Sequence, residues 1–180
     1  PQGAIIALFT EHQARERDQL FLVGRNAEQY RAVSLPGIGF RPQWSTKGDR
    51  LLFQLASSDT SFRPNLWVMD GNPEALGAHM VDLHVATFVD KCTWNSKDTA
   101  LYCAVPQELT SGAALAASAA RELTNYQDDI WKIDPMTCLK TLVFSFVIPF
   151  SVQKIAVSFD EQTLFIQEAH TQGLYALKLK

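Results

Sequence analysis

The stretch Gln43-Trp44-Ser45-Thr46-Lys47-Gly48-Asp49-Arg50-Leu51-Leu52-Phe53 places an apolar segment, a polar turn and a second apolar segment in direct succession. Two short apolar runs around a turn of Ser, Gly and Asp read as a β-hairpin. The pattern returns without gaps at Thr93-Trp94-Asn95-Ser96-Lys97-Asp98-Thr99-Ala100-Leu101-Tyr102-Cys103, and more weakly from Ala156 to Ile166. Each hairpin is followed by an aliphatic-aromatic segment: Leu66-Trp67-Val68-Met69-Asp70-Gly71, Ile130-Trp131-Lys132-Ile133-Asp134-Pro135 and Leu174-Tyr175-Ala176-Leu177. Asp-Gly and Asp-Pro then supply the next turn.

The spacing makes this a repeat. Trp67 to Trp94 and Trp131 to Val157 are separated by 27 and 26 residues, whereas the distance inside a unit varies: 23 from Trp44 to Trp67, 37 from Trp94 to Trp131, 18 from Val157 to Tyr175. The middle unit therefore carries an insertion of about 14 residues, and without it the period is close to 50. The N-terminal segment fits as a partial unit, with strands from Ala4 to Thr10, at Leu20-Phe21-Leu22-Val23 and from Gln29 to Leu35, its first strand missing. Gly173 to Leu179 supplies a third strand at the other end.

Units of about 40 to 50 residues, each a four-stranded antiparallel sheet, are the blades of a β-propeller. The expected fold is all-β: a propeller fragment of four-stranded antiparallel blades, two complete and two partial, with one short helical insertion. The expected blades are 1–37 (partial), 38–86, 87–150 with the helical insertion at 107–126, and 151–180 (partial). The Trp-Ser-x-x-Gly-x-x-Leu-x-Phe hairpin followed by Asn-Leu-Trp-Val-Met-Asp resembles the WD40-like (PD40) repeat of TolB-type propellers. Phe40 to Val85 matches that pattern best. The unit from Cys92 departs at its turn, Asn95-Ser96-Lys97-Asp98, and the unit from Ile155 has no Trp. The resemblance implies protein partners and an extracytoplasmic or periplasmic setting in a bacterial envelope.

Composition agrees with a globular chain: 180 residues, 47% hydrophobic, 19% charged and 11% aromatic, which excludes disorder, collagen and coiled coil. A net charge of −3 with no basic stripe argues against nucleic acid as a partner. The longest apolar run, Leu142 to Phe150, is broken by Ser145 and Pro149 and falls far short of the roughly 20 residues of a membrane helix. Burial between blades is the expected fate of that run. The chain opens at Pro1 with no basic segment leading into an apolar one, which reads as a processed product or an excised piece.

Stacked blades bury both faces, so Trp44, Trp67, Trp94, Trp131 and Tyr175 are expected as structural repeat positions. Each is an aromatic able to bury on the order of 150 to 250 Å² between neighbours. The competing reading is an exposed aromatic cage for a ligand. Ser45, Ser158, Asp70 and Asp134 read as turn hydrogen-bonders. No nucleophile elbow, phosphate-binding loop or His-Glu-x-x-His pair is present, and His12, His79, His84 and His170 are scattered. The expectation is therefore no catalytic residue, no metal and no cofactor. Asp128-Asp129 reads as a cap on the loop backbone, with a calcium ligand as the alternative.

A symmetric register around Lys97 and Asp98 sets Cys92 opposite Cys103. Two readings remain open, a disulfide suited to an extracytoplasmic compartment, and an inert buried thiol pair if a bulge turns them apart. The insertion from Thr110 to Leu123 is rich in Ala and begins with polar residues, which predicts one helix packed on the rim of its own blade. Leu115, Arg121, Glu122, Asp128 and Asp129 are the candidate rim interaction surface.

Two whole and two partial blades do not make a ring, so the open edges call for a partner protein, further blades of the same propeller, or an oligomer. The leading expectation is a non-catalytic interaction scaffold within a larger propeller. The alternative is a propeller domain gating a peptidase or hydrolase whose catalytic domain lies elsewhere. A small-molecule site in the central channel would draw on Arg41, Gln43, Lys91, Thr93 and Lys154.

Overall fold

A computed structural model describes residues 5–9, 18–24, 26, 28, 30, 32–115 and 126–179. Among these residues, four antiparallel sheets follow one another along the chain. The first holds β1 (Ile5–Phe9), β2 (Gln19–Gly24) and β3 (Val33–Ser34). The second holds β4 (Ile38–Trp44), β5 (Arg50–Ala56), β6 (Asn65–Asp70) and β7 (Val81–Ala86). The third holds β8 (Cys92–Trp94), β9 (Leu101–Pro106), β10 (Asp128–Ile133) and β11 (Lys140–Ser145). The fourth holds β12 (Val152–Val157), β13 (Thr163–Glu168) and β14 (Leu174–Lys178). Every strand pairs with its neighbour in sequence, so each sheet is a meander.

The sequence repeat reappears as a register repeat. Trp44 pairs with Leu51, Trp94 with Leu101 and Val157 with Leu164, closing each hairpin at the same place. One strand further out, Phe53 pairs with Trp67, Cys103 with Trp131 and Ile166 with Tyr175. Because successive side chains of a strand point to opposite faces, each middle strand feeds two different cores. Leu51, Phe53 and Leu55 of β5 pack with Leu20 and Leu35 of the first sheet, whereas Leu52 packs with Cys92, Trp94, Leu101 and Cys103 of the third. Tyr102 and Ala104 of β9 face the other way, against Val152, Ile155, Leu164 and Ile166 of the fourth. The described residues thus form three apolar cores, one at each junction of adjacent sheets, which is the stacking of propeller blades.

At the hairpin end, polar side chains pin two of these junctions. The fourth residue of each hairpin turn, Gly48, Asp98 and Glu161, has a left-handed backbone with φ of 78°, 59° and 57°. Asp98 reaches back to the preceding blade and accepts from the N–H groups of Thr46 and Lys47, both at 2.8 Å. Glu161 Oε1 likewise accepts from Asn95 Nδ2 at 3.0 Å and Ser96 Oγ at 3.2 Å.

Three expectations are corrected. The apolar run from Leu142 to Phe150 is not uniformly buried: Leu142, Phe144, Val147 and Ile148 are exposed, because it forms the outermost strand β11 and the loop after it, and the fourth sheet, with three strands among the described residues, brings no outer strand opposite. The insertion does not rest on its own blade alone. Gly112 N and Ser111 Oγ donate to Ser61 O, and Ala114 N donates to Phe62 O, docking its start on the β5–β6 loop of the preceding blade. Residues 113–115 are helical, and the remainder of the expected helix lies largely outside the described residues. Asp128, expected on the rim, is fully buried.

Candidate functional site

Among the described residues, the most concentrated buried charge lies in the third blade, at the strand ends away from its hairpin turn. Lys91, just before β8, and Asp128, the first residue of β10, are both fully buried, with Lys91 Nζ 3.0 Å from Oδ1 and 2.7 Å from Oδ2. Asp128 Oδ2 also accepts from Val152 N at 2.6 Å, which ties the third blade to the first strand of the fourth. The Tyr126 ring centroid is 4.9 Å from Lys91 Nζ and 5.9 Å from the Phe88 ring, closing the pair with aromatic surface. Burial pulls the Lys91 ammonium below its usual range and pushes the Asp128 carboxyl above its own, and their mutual attraction offsets part of each shift. This geometry joins strands and blades. The Asp128-Asp129 pair splits accordingly: Asp128 binds inward, and Asp129 Oδ1 accepts from Gln107 Nε2 and Ser145 Oγ nearer the surface.

The inner strands use their polar groups in the same way. Arg41 Nη1 lies 3.3 Å from Asp90 Oδ2, Gln43 Nε2 donates to Cys92 O, and Thr93 Oγ1 donates to Trp94 O. Lys154 is exposed. Arg41 and Gln43 thus lie against the segment that carries Lys91 and Thr93, while the Lys91 ammonium itself turns to Asp128. His79 Nδ1 is 2.7 Å from Asp70, and His84 Nδ1 is 3.4 Å from Asp82. Among the described residues no group of three or more His, Cys, Asp or Glu is placed to hold a metal ion.

The aromatic repeat positions sit at blade junctions. Trp94 is buried, Trp44, Trp67 and Trp131 are half-buried against the cores, and Tyr175 is half-exposed with its ring centroid 5.2 Å from Phe150. Cys92 and Cys103 pair across β8 and β9 with Cα atoms 4.1 Å apart and are joined by a disulfide, leaving Cys138 as a free thiol. Of the rim candidates, Leu115 is exposed, and Arg121 and Glu122 lie outside the described residues. Sequence reasoning missed the turn latches Asp98 and Glu161. Their signal was available: both align with Gly48 at a position where a side chain is conformationally costly, yet both are acids.

Among the described residues, clefts open between blades. One of about 510 Å³ lies between β7 and the β9–β10 pair, with Trp131 and Ile133 in its wall and His84, Asp129 and Lys140 also lining it. Another, of about 920 Å³, lies between the outer half of the third blade and Leu177 and Leu179 of the fourth.

No protein-family model matches the sequence, and no curated protein matches it. Solved structures do. TolB from Acinetobacter baumannii is similar at 12% identity and a TM-score of 0.56, covering 98% of this chain and 41% of that one. The β-propeller domain of the Trilobed protease from Pyrococcus furiosus, described as having an open velcro topology, matches at 12% identity and a TM-score of 0.57, covering 99% and 52%. A complex of KlAtg21 with the coiled coil of AgAtg16 matches at 14% identity and a TM-score of 0.62, covering 98% and 49%. The chain spans about half the length of these neighbours. Among the described residues no helix is long and apolar enough to cross a membrane. With its three inter-blade cores and these neighbours, the chain has the fold of a β-propeller fragment.

Proposed function

We propose that this chain is part of a larger WD40-like, TolB-type propeller that acts as a non-catalytic protein–protein interaction scaffold, with the outer face of the fourth blade as its contact surface. One observation carries the reading. Leu52, Tyr102 and Phe165 occupy the same repeat position, and their exposures are 0%, 4% and 41%. Leu66, Ile130 and Leu174 share another, at 0%, 0% and 73%. Positions that face a neighbouring blade twice in succession are thus uncovered at the fourth blade among the described residues, and an apolar face of that kind calls for a cover, a further blade of the same propeller or a partner protein. The disulfide and the TolB likeness support an extracytoplasmic, envelope setting.

Light scattering on the purified chain tests the proposal. Association, or solubility only with a partner, is expected; a protease-resistant monomer of 20.1 kDa at all concentrations overturns it. The second reading, a propeller domain gating a peptidase, draws on the likeness to a protease propeller. A serine-hydrolase domain in the same open reading frame that reacts with a fluorophosphonate probe would decide for it.

A further inference from the structure

The junction of the second and third blades carries two opposite charges that no ion pair uses. Along β10, Asp129, Trp131 and Ile133 share one face by alternation, the face that packs toward the second blade. Lys140 of β11 pairs with Ile133 and joins them. All four line the cleft of about 510 Å³, so its third-blade wall runs from a carboxylate, past an indole, to an ammonium. Gln107 Nε2 and Ser145 Oγ both donate to Asp129 Oδ1, at 3.1 and 2.7 Å, and hold that carboxylate in place. At the other end Lys140 Nζ donates to His84 O at 2.7 Å, which occupies one of the protons an ammonium offers. Among the described residues neither charge has an ionic partner.

The facing wall comes from β7 and is shaped by a bulge. Asn65 pairs with Ala86 and Trp67 with Asp82, so Leu83, His84 and Val85 stand opposite Leu66 alone. His84 takes a left-handed φ of 53°, its N–H donates to Asp82 Oδ1 at 2.7 Å, and its carbonyl goes to Lys140 of the third blade. Val85 and Ala86 of this strand face Val105 and Trp131 across the cleft and make its middle apolar.

A cleft that is apolar along its length and oppositely charged at its ends is complementary to a zwitterion of matching length. Asp129 and Ile133 are four residues apart on one strand, about 13 Å. A free amino acid, with ammonium and carboxylate on the same carbon, is too short to touch both ends. Three residues of extended chain reach about 10 Å, and the long Lys140 stem takes up the remainder. We infer that the cleft between the second and third blades binds short apolar peptides with free ends, the peptide ammonium at Asp129, its carboxylate at Lys140 Nζ and its side chains against Trp131 and Val85. This goes beyond the scaffold reading, since both walls come from complete blades and the fourth-blade face takes no part.

Trileucine is the probe, titrated near neutral pH into the intact 180-residue protein by isothermal titration calorimetry. Saturable binding with Kd below about 1 mM is expected. N-acetyl-trileucine and trileucine amide each lose one charge and should each bind about fivefold or more weakly, a contrast that needs no change to the protein. Against Lys140→Met the amide should bind as the free peptide does while the acetylated peptide stays weaker, and against Asp129→Asn the two should exchange roles. In the wild type the Trp131 indole N–H resonance, assigned through Trp131→Phe, should shift on binding. Absence of saturation, equal binding of the three peptides, an end preference that survives loss of its charged residue, or an unmoved Trp131 resonance each overturns the inference. The titration reads the cleft and light scattering reads the fourth blade, so either idea can fail alone.

Discussion

Asp98 sits where the backbone is least hospitable to it. Left-handed φ costs a residue with a Cβ about 1–2 kcal/mol, and Gly48 avoids that at the equivalent turn. Asp98 holds the position because its carboxylate takes two N–H groups of the neighbouring turn. Asp98→Gly, which keeps the backbone and deletes the latch, should lower stability by about 1–2 kcal/mol in urea denaturation, and Asp98→Ala should lower it by about 1 kcal/mol more. A glycine variant as stable as the wild type would show the latch to be idle. The Lys91–Asp128 pair answers a different test. Lys91→Met leaves a buried carboxylate without its cation and should cost about 3–5 kcal/mol near neutral pH, whereas Lys91→Met with Asp128→Asn, which retains an acceptor for Val152 N, should recover most of it. The pH dependence has a definite sign. Burial already raises the Asp128 carboxyl, and removing Lys91 removes an opposing attraction, so the folded variant holds its proton at a pH where the unfolded chain has lost it. Its deficit should therefore shrink as pH is lowered toward the unfolded aspartate value near 4; a deficit that grows on acidification contradicts the assignment.

Among strands, the disulfide cross-links β8 to β9 at residues 11 apart in sequence, and a loop of that size restricts the unfolded chain by about 3 kcal/mol. In a Cys138→Ser background, so that only one thiol pair exists, reduction should lower the urea midpoint by that equivalent without dissolving the sheet, since Cys92 and Cys103 remain packed in the core beside Trp94 and Leu52. Coincident oxidised and reduced transitions would show that the bond adds nothing. The placement of Cys92 opposite Cys103 is legible in the sequence because register in a symmetric hairpin is fixed by its turn, and the same logic places Trp94 opposite Leu101. The strand content of the two central blades is legible for the same reason: apolar alternation and turn residues are local. What escapes is set by neighbours. Hydropathy alone cannot tell that, among the described residues, no outer strand lies opposite β11, so Leu142 and Phe144 read as core and stand exposed. Nor can it tell that Asp128 turns inward to a lysine 37 residues earlier while Asp129 stays near the surface. The insertion is misread similarly, because its docking point is made by Ser61 and Phe62 of another blade, both held in left-handed conformations.

Across the whole molecule, the three cores make each blade a half-partner to the next, and stability is the sum of those junctions. Among the described residues the fourth blade makes only one junction. Phe165 and Leu174 are the side chains left over by that arithmetic, and Phe159, on the neighbouring hairpin turn, is 89% exposed. Replacing Phe165 and Leu174 together by Glu puts charge where water already reaches, so the folding cost should stay within about 1 kcal/mol, typical of surface substitutions. The same change at Leu52 or Tyr102, one or two blades earlier, buries an unpaired charge between packed sheets and should unfold the chain. The double variant should therefore keep its far-ultraviolet circular dichroism and its urea midpoint while its mass by light scattering falls to 20.1 kDa at concentrations where the wild type associates. If the variant associates as the wild type does, contact is made elsewhere, and the exposed run on β11 becomes the surface to change next. If it loses its fold, then the face is already covered within a single chain, and the repeat positions that look open at the fourth blade are not open in solution.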